Sequence, residues 1–167
     1  MSDLLKAIED CTEDSMKDRF LTFLTGDGIF GVEIQDVKEI IVIQSIVSMP
    51  EMPDYIRGLI NLRGKIVPVL DTRIRFHMPP KEYDDQTCII VLDAGEMMMG
   101  LIVDRVFDVL TIPTEDVIKT PEVGRGGSSR YVKSIGKADD QVILLLDYRK
   151  LMGEEDLPLI QQSPETV

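Results

Sequence analysis

The chain has 167 residues, 44% of them hydrophobic, and a formal net charge of −12. That length suits one domain or two very small ones, and the acidic balance argues against nucleic acid, whose phosphates need a Lys/Arg surface, and against an anionic membrane. Aromatic residues make up only 5% and Trp is absent, so aliphatic side chains must fill the core. No apolar run approaches the roughly 18 residues of a membrane span. No basic segment followed by an apolar one marks a signal peptide. Cys11 and Cys88 lie far apart, which fits free thiols in a reducing cytoplasm.

Residues 1–18 form an N-terminal extension, in which Leu4, Leu5, Ile8 and Cys11 have the spacing of a short helix. Residues 20–25 and 29–34 flank Gly26-Asp27-Gly28, a hairpin signal. Residues 35–40 read as one helical turn, and 41–43 and 46–47 as further strand, ended by Met49-Pro50-Glu51-Met52-Pro53. Residues 55–71 read as strand, turn, strand. Residues 59–62 are apolar except for Asn61. Arg63-Gly64-Lys65 supplies the turn, because Gly64 takes positive φ at little cost. The unbroken apolar run 66–70 predicts a strand buried on both faces, with Pro68 marking an edge or a bulge. Asp71 caps a short helix over 72–76. Residues 77–86, with Pro79-Pro80, read as a linker between two halves.

The second half starts with strands at 87–92 and 97–103 around a turn at Asp93-Ala94-Gly95. Short strand material follows between Thr111-Ile112-Pro113 and Pro121, and then a flexible loop over 124–129. Residues 131–135 and 141–146 form a hairpin, and a closing helix over 147–152 ends at Gly153. Residues 154–167 are an acidic C-terminal tail.

The two halves repeat one another. Phe30-Gly31-Val32 matches Met99-Gly100-Leu101, and Val37-Lys38-Glu39-Ile40 matches Val106-Phe107-Asp108-Val109. Pro50-Glu51 matches Pro121-Glu122, and Tyr55-Ile56-Arg57 matches Tyr131-Val132-Lys133. Leu70-Asp71-Thr72-Arg73 matches Leu146-Asp147-Tyr148-Arg149, with the same gap from Tyr to Asp. Short strands, frequent turns and two copies predict a mainly β fold of two small barrels packed side by side with a shared core.

Catalytic and metal chemistry is poorly supplied. The single histidine, His77, lies in the linker and reads as a solvated loop residue, not as a triad member. Neither cysteine spacing nor carboxylate spacing suits a metal. The 124–129 loop is glycine-rich but lacks the Gly-Lys-Ser/Thr of a phosphate cradle and precedes a strand. Met97-Met98-Met99 offers an adaptable binding face, but alternation in a strand more simply buries either Met97 and Met99 or Met98 in the core. The expectation is therefore no enzyme and no cofactor. The rival is an enzyme using a carboxylate pair between the barrels. Two polar residues stand out: Arg63 at the hairpin tip and Glu39 among apolar neighbours. They read either as a buried or semi-buried ion pair or as two unrelated solvated charges.

Three segments resemble the CheW family of chemotaxis coupling proteins. They are Tyr55-Ile56-Arg57-Gly58-Leu59-Ile60-Asn61-Leu62-Arg63-Gly64 with Ile66-Val67-Pro68-Val69-Leu70-Asp71, Phe30-Gly31-Val32-Glu33-Ile34 with Val37-Lys38-Glu39-Ile40, and Gly100-Leu101-Ile102-Val103-Asp104-Arg105-Val106 with Val109-Leu110. The resemblance covers about 18–152 in order. It implies two SH3-like five-stranded β-barrel subdomains, about 19–80 and about 86–153 of a CheW-like domain spanning 19–153, with a short helix after each half. It implies no catalysis, no metal and no nucleotide. The implied function is an adaptor that joins the cytoplasmic tips of methyl-accepting chemoreceptors to the regulatory domain of the histidine kinase CheA, in the cytoplasm and recruited to membrane-associated receptor arrays. A scaffold of a related non-motility kinase pathway is the alternative. By motif position, Glu39 and Arg63 match residues that matter for coupling in the family, and Ile34, Val37 and Val106 match apolar positions lining its receptor-binding groove. The extension at 1–18 and the loop at 124–129 have no counterpart role.

Overall fold

The apolar runs become strands, and Gly26 and Gly64 take positive φ in two of the tight turns between them. A computed structural model describes residues 18–93, 98–119, 131–138 and 140–151. The first half contains β1 (Arg19–Thr25), β2 (Gly28–Glu33), β3 (Val37–Val42), β4 (Ile56–Leu62) and β5 (Lys65–Asp71), followed by a one-turn helix α1 (Thr72–Arg75). The second contains β6 (Cys88–Asp93), β7 (Met98–Val103), β8 (Arg105–Thr111), β9 (Val117–Lys119), β10 (Val132–Ala138) and β11 (Gln141–Leu146), then a 3-10 turn at Tyr148–Leu151. Asp71 caps α1 as expected, its Oδ1 accepting the Arg73 amide at 2.9 Å. The expected N-terminal helix, the Asp93-Ala94-Gly95 turn, Met97, the 124–129 loop, the Pro121-Glu122 match and the acidic tail lie outside the described residues.

Three expectations need correction. Residues 35–40 are not a helical turn: a 3-10 turn covers only Ile34–Asp36, and β-branched Val37, Ile40 and Ile41 continue as β3 against β6. The run 66–70 is not buried on both faces throughout, because Ile66 is exposed beside its turn, as is Val142 at the equivalent place in the other repeat. Met98 and Met99 are not alternatives. They point to opposite faces of β7, and each packs against a different core.

The strands form two sheets, ordered β8-β1-β2-β11-β10-β9 and β3-β6-β7-β5-β4. Each sheet draws strands from both repeats. Hairpin β1–β2 lies between β8 and β11, and hairpin β6–β7 lies between β3 and β5. The exchange is sealed by two short parallel junctions, β2 with β11 and β5 with β7. Pairing of β5 with β7 begins at Val69, so Pro68 sits where β5 has only β4 beside it and no second ladder needs its missing N–H. The class is mainly β, as expected. One sheet has five strands and the other six, and among the described residues backbone pairing closes neither into a full barrel. The sixth strand is β9, which pairs with β10. The matching edge of the other sheet carries only the isolated bridge Val47–Leu59.

The largest core lies between the sheets and takes residues from both repeats, among them Phe23, Phe30, Ile90, Leu101, Tyr131 and Leu146. Each sheet also encloses a smaller core, one around Ile60, Val69 and Ile89 and one around Phe20, Ile143 and Leu145. Polar stitches hold α1 to this frame. The Thr72 hydroxyl donates to the Ile102 carbonyl at 2.7 Å, so at 2.9 Å it accepts from Thr25.

Candidate functional site

The β4–β5 loop has two residues, between Leu62 and Lys65. Arg63 has φ 52° and Gly64 φ 86°. Positive φ at both places is the type I′ geometry that matches strand twist. Glycine tolerates it; an arginine there is strained by about 1–2 kcal/mol. The Asn61 Oδ1 accepts the Gly64 amide at 2.9 Å, a bond that bridges the turn. From this tip Arg63 Nη2 donates to Glu39 Oε1 at 2.9 Å. The Arg63 side chain is 82% exposed and that of Glu39 is 20% exposed.

A bulge aims Glu39. The β3–β6 register shifts between Val37 and Glu39, with Val37 opposite Leu92 and Glu39 opposite Val91. Val37 and Leu92 pack in the inter-sheet core, whereas Val91 belongs to the five-stranded sheet's own core. The extra residue, Lys38, thus turns Glu39 to the opposite face from Val37. Strands β3 and β4 are the two edges of that sheet, so the Glu39–Arg63 pair spans them. The Val47–Leu59 bridge links the chain after β3 to β4, with reciprocal amide bonds of 2.8 Å.

The sequence-derived residues therefore fall into two groups. Glu39 and Arg63 meet as an ion pair at the sheet edges. Ile34 and Val37 are buried in the inter-sheet core, and Val106 packs against it half-buried. Ile34 is only 1% exposed, so of these three Val106 offers the most surface.

The stronger ion pair was not evident in the sequence. Arg73 Nε donates to both carboxylate oxygens of Asp104, at 2.8 and 2.9 Å, and Nη2 to Oδ2 at 2.7 Å. The Gly26 amide donates to the same Oδ2 at 2.9 Å. Burial works to raise the Asp104 pKa, but these bonds outweigh it and hold it below the usual carboxylate value. They also raise that of Arg73. The cluster ties the β1–β2 turn, α1 and the β7–β8 corner together. The only available hint was Asp104 ending an apolar run, and its partner lies in the other repeat.

Little here suits catalysis. Among the described residues no group of three His, Cys, Asp or Glu is placed to hold a metal ion. A cleft of about 370 Å³ beside the linker is lined by Arg57, Asp71, Lys81 and Tyr83. Its Tyr83 hydroxyl donates to Asp71 at 2.8 Å, and burial together with that carboxylate raises its pKa, so it stays protonated. His77 is exposed, and Cys88 is a buried free thiol.

Comparison with known proteins gives a consistent result. The model of the CheW-like domain family matches residues 19–156. The chemotaxis protein CheW of Klebsiella aerogenes is 31% identical over 93% of this chain and 94% of its own length. A probable chemotaxis protein CheW of Rhizobium etli is 33% identical over 81% of this chain and 88% of its own. The crystal structure of the scaffolding protein TtCheW from Thermoanaerobacter tengcongensis superposes with a TM-score of 0.76 at 32% identity, covering 81% of this chain and 92% of that one.

Proposed function

The chain belongs to the CheW-like family, and from that premise we propose that it is a chemotaxis coupling adaptor, joining the tips of methyl-accepting chemoreceptors to the regulatory domain of the histidine kinase CheA. The family match and the chemotaxis relatives support the adaptor role. Among the described residues no helix is long and apolar enough to cross a membrane. The adaptor acts in the cytoplasm and is recruited to receptor arrays by its partners.

The observation that carries the site is the Glu39–Arg63 pair, because it is the ion pair that joins two sheet edges while leaving its cation in solvent. An adaptor without a nucleophile or cofactor acts through binding free energy alone. Coupling then means binding kinase-on and kinase-off arrangements of the partners unequally. In this reading half-exposed Val106 borders an apolar groove for a helical receptor segment, Ile34 and Val37 support it from below, and Glu39 and Arg63 form a charged contact on the other face of β3.

Co-sedimentation of the full chain with CheA and receptor fragments is the test. A ternary complex that forms only when the chain is added supports the reading; failure to bind either partner overturns it.

A further inference from the structure

We propose that Asn61 is the positioning residue of this contact, holding the strained Arg63 so that its guanidinium faces Glu39 before any partner arrives. This rests on the reading of Glu39 and Arg63 as the partner contact. In a two-residue hairpin the second loop residue has an amide that no ladder partner takes up. Here that amide belongs to Gly64 and is accepted by Asn61 Oδ1 at 2.9 Å. The bond fixes the peptide plane joining Arg63 to Gly64, and with it ψ of Arg63. Arg63 otherwise has reason to leave this conformation, since φ 52° disfavours a side chain with a Cβ. Beyond its two chain neighbours, no atom lies within 4 Å of the place where a Cβ on Gly64 would stand, so that side of the turn is open to solvent and gives it no packing support. Asn61 is itself exposed and opposite Ile66, so it fills no core. Its visible work is the turn. A long, exposed arginine loses less freedom on binding when its base is already fixed.

The test uses the full chain with Asn61→Ala and with Asn61→Ser, whose hydroxyl can still accept the Gly64 amide without adding charge. The first readout is the mobility of Arg63 Nε by NMR relaxation in the free protein. The second is capture of CheA and receptor fragments. Asn61→Ala should raise Arg63 mobility to that of Glu39→Ala and weaken capture by about threefold or more through lost preorganisation, and Asn61→Ser should restore most of both. If Arg63 is as rigid in Asn61→Ala as in the unaltered chain, the positioning role is overturned whatever capture shows. If Arg63 loosens and capture is unchanged, the positioning role stands and the partner-contact reading fails instead.

Discussion

Tyr55 and Tyr131 hold equivalent places in the two repeats, and one guanidinium, that of Arg75, lies over both rings at 4.0 and 4.7 Å. The two carbonyls are used alike, accepting the amides of Asp71 and Asp147, each at 2.8 Å. Arg75 is where the symmetry breaks. Its Nε donates at 2.7 Å to the carbonyl of Leu151, the residue at its own position in the other repeat. A charged hydrogen bond contributes about 1.5–3 kcal/mol and a cation–π contact about 0.5–2 kcal/mol. Arg75→Leu should therefore lower stability by about 3 kcal/mol, read as a lower urea midpoint with unchanged slope. Arg75→Lys, which keeps the charge and loses the planar fork, should fall between.

Neither half should fold alone. A fragment of residues 18–80 keeps β1 and β2 but loses β8 and β11, the neighbours on either side of that hairpin. It also strips β6 and β7 from between β3 and β5. The inter-sheet core would then open to water on the side of Tyr131, Leu146 and Leu101. The fragment should show no cooperative melt and a collapsed amide spectrum. A sharp melt with dispersed amides would contradict the shared core.

Acid should weaken the protein partly through Asp104. Its folded pKa lies below the unfolded value of about 3.9. A depressed carboxyl stabilises the fold above the unfolded value, and that contribution is lost as pH falls through the folded one. Glu33 acts in the same direction: burial opposes the shift, but the bond to Lys133 at 3.0 Å, that ammonium's charge and the bonds from Gln35 and Asp36 together outweigh it. Asp36, raised by burial and by Glu33, acts in the opposite sense. Melting temperature should therefore decline below about pH 4, and Asp104→Asn should start lower and flatten that decline. An unchanged slope in the variant would remove Asp104 from the account.

The sequence-level reading goes as far as local chemistry reaches. Equal spacing from Tyr55 to Asp71 and from Tyr131 to Asp147 implies equivalent hairpins, and both form with the same bulge, between Ile56 and Gly58 and between Val132 and Ser134. Exchange of hairpins between the sheets was not legible, because periodicity shows which face of a strand is apolar and not which strand lies beside it. Strand β8 was hard to see for a related reason: half-exposed Val106, Phe107 and Val109 give no clean alternation. The Glu39–Arg63 pair was legible as one of two readings, an ion pair or two unrelated charges, and the sequence did not choose between them. The pair depends on the Lys38 bulge and on the sheet bringing its own edges together, and neither has a local signature.

Loss of either partner in that pair should affect binding more than folding. An exposed ion pair contributes about 1 kcal/mol or less to stability, and no core packing depends on Arg63. A guanidinium desolvated in an interface can contribute about 2 kcal/mol or more. Arg63→Ala and Glu39→Ala should each melt within a few degrees of the unaltered chain yet lower receptor-dependent CheA activity in a reconstituted assay. The double variant should lose less than the sum of the two. Arg63→Gly separates strain from charge: it should be at least as stable as Arg63→Ala, because φ 52° no longer opposes a Cβ, and equally impaired in coupling. If both single variants unfold, the pair is structural; if both couple normally, the site lies elsewhere.

Gly58 should tolerate no side chain. Its φ is 149°, a region open essentially to glycine alone, and a Cβ there would collide with the Val47 carbonyl. That carbonyl accepts the Leu59 amide at 2.8 Å, and the Val47 amide donates back to Leu59 at the same distance. The chain after β3 thereby reaches the outer edge of β4, where the strand would otherwise present unpaired backbone groups. Gly58→Ala combines backbone strain of about 1–3 kcal/mol with displacement of a backbone segment that has no flexible side chain to yield. Stability should fall by about 3 kcal/mol, and amide exchange at Leu59 and Val47 should accelerate more than at Ile90 in the sheet centre. Because the same two edges are spanned by Glu39 and Arg63, their ion pair should loosen as well, seen as greater Arg63 side-chain mobility. A Gly58→Ala protein as stable as the unaltered chain, with Leu59 still protected, would show that the edge closes without the Val47 bridge.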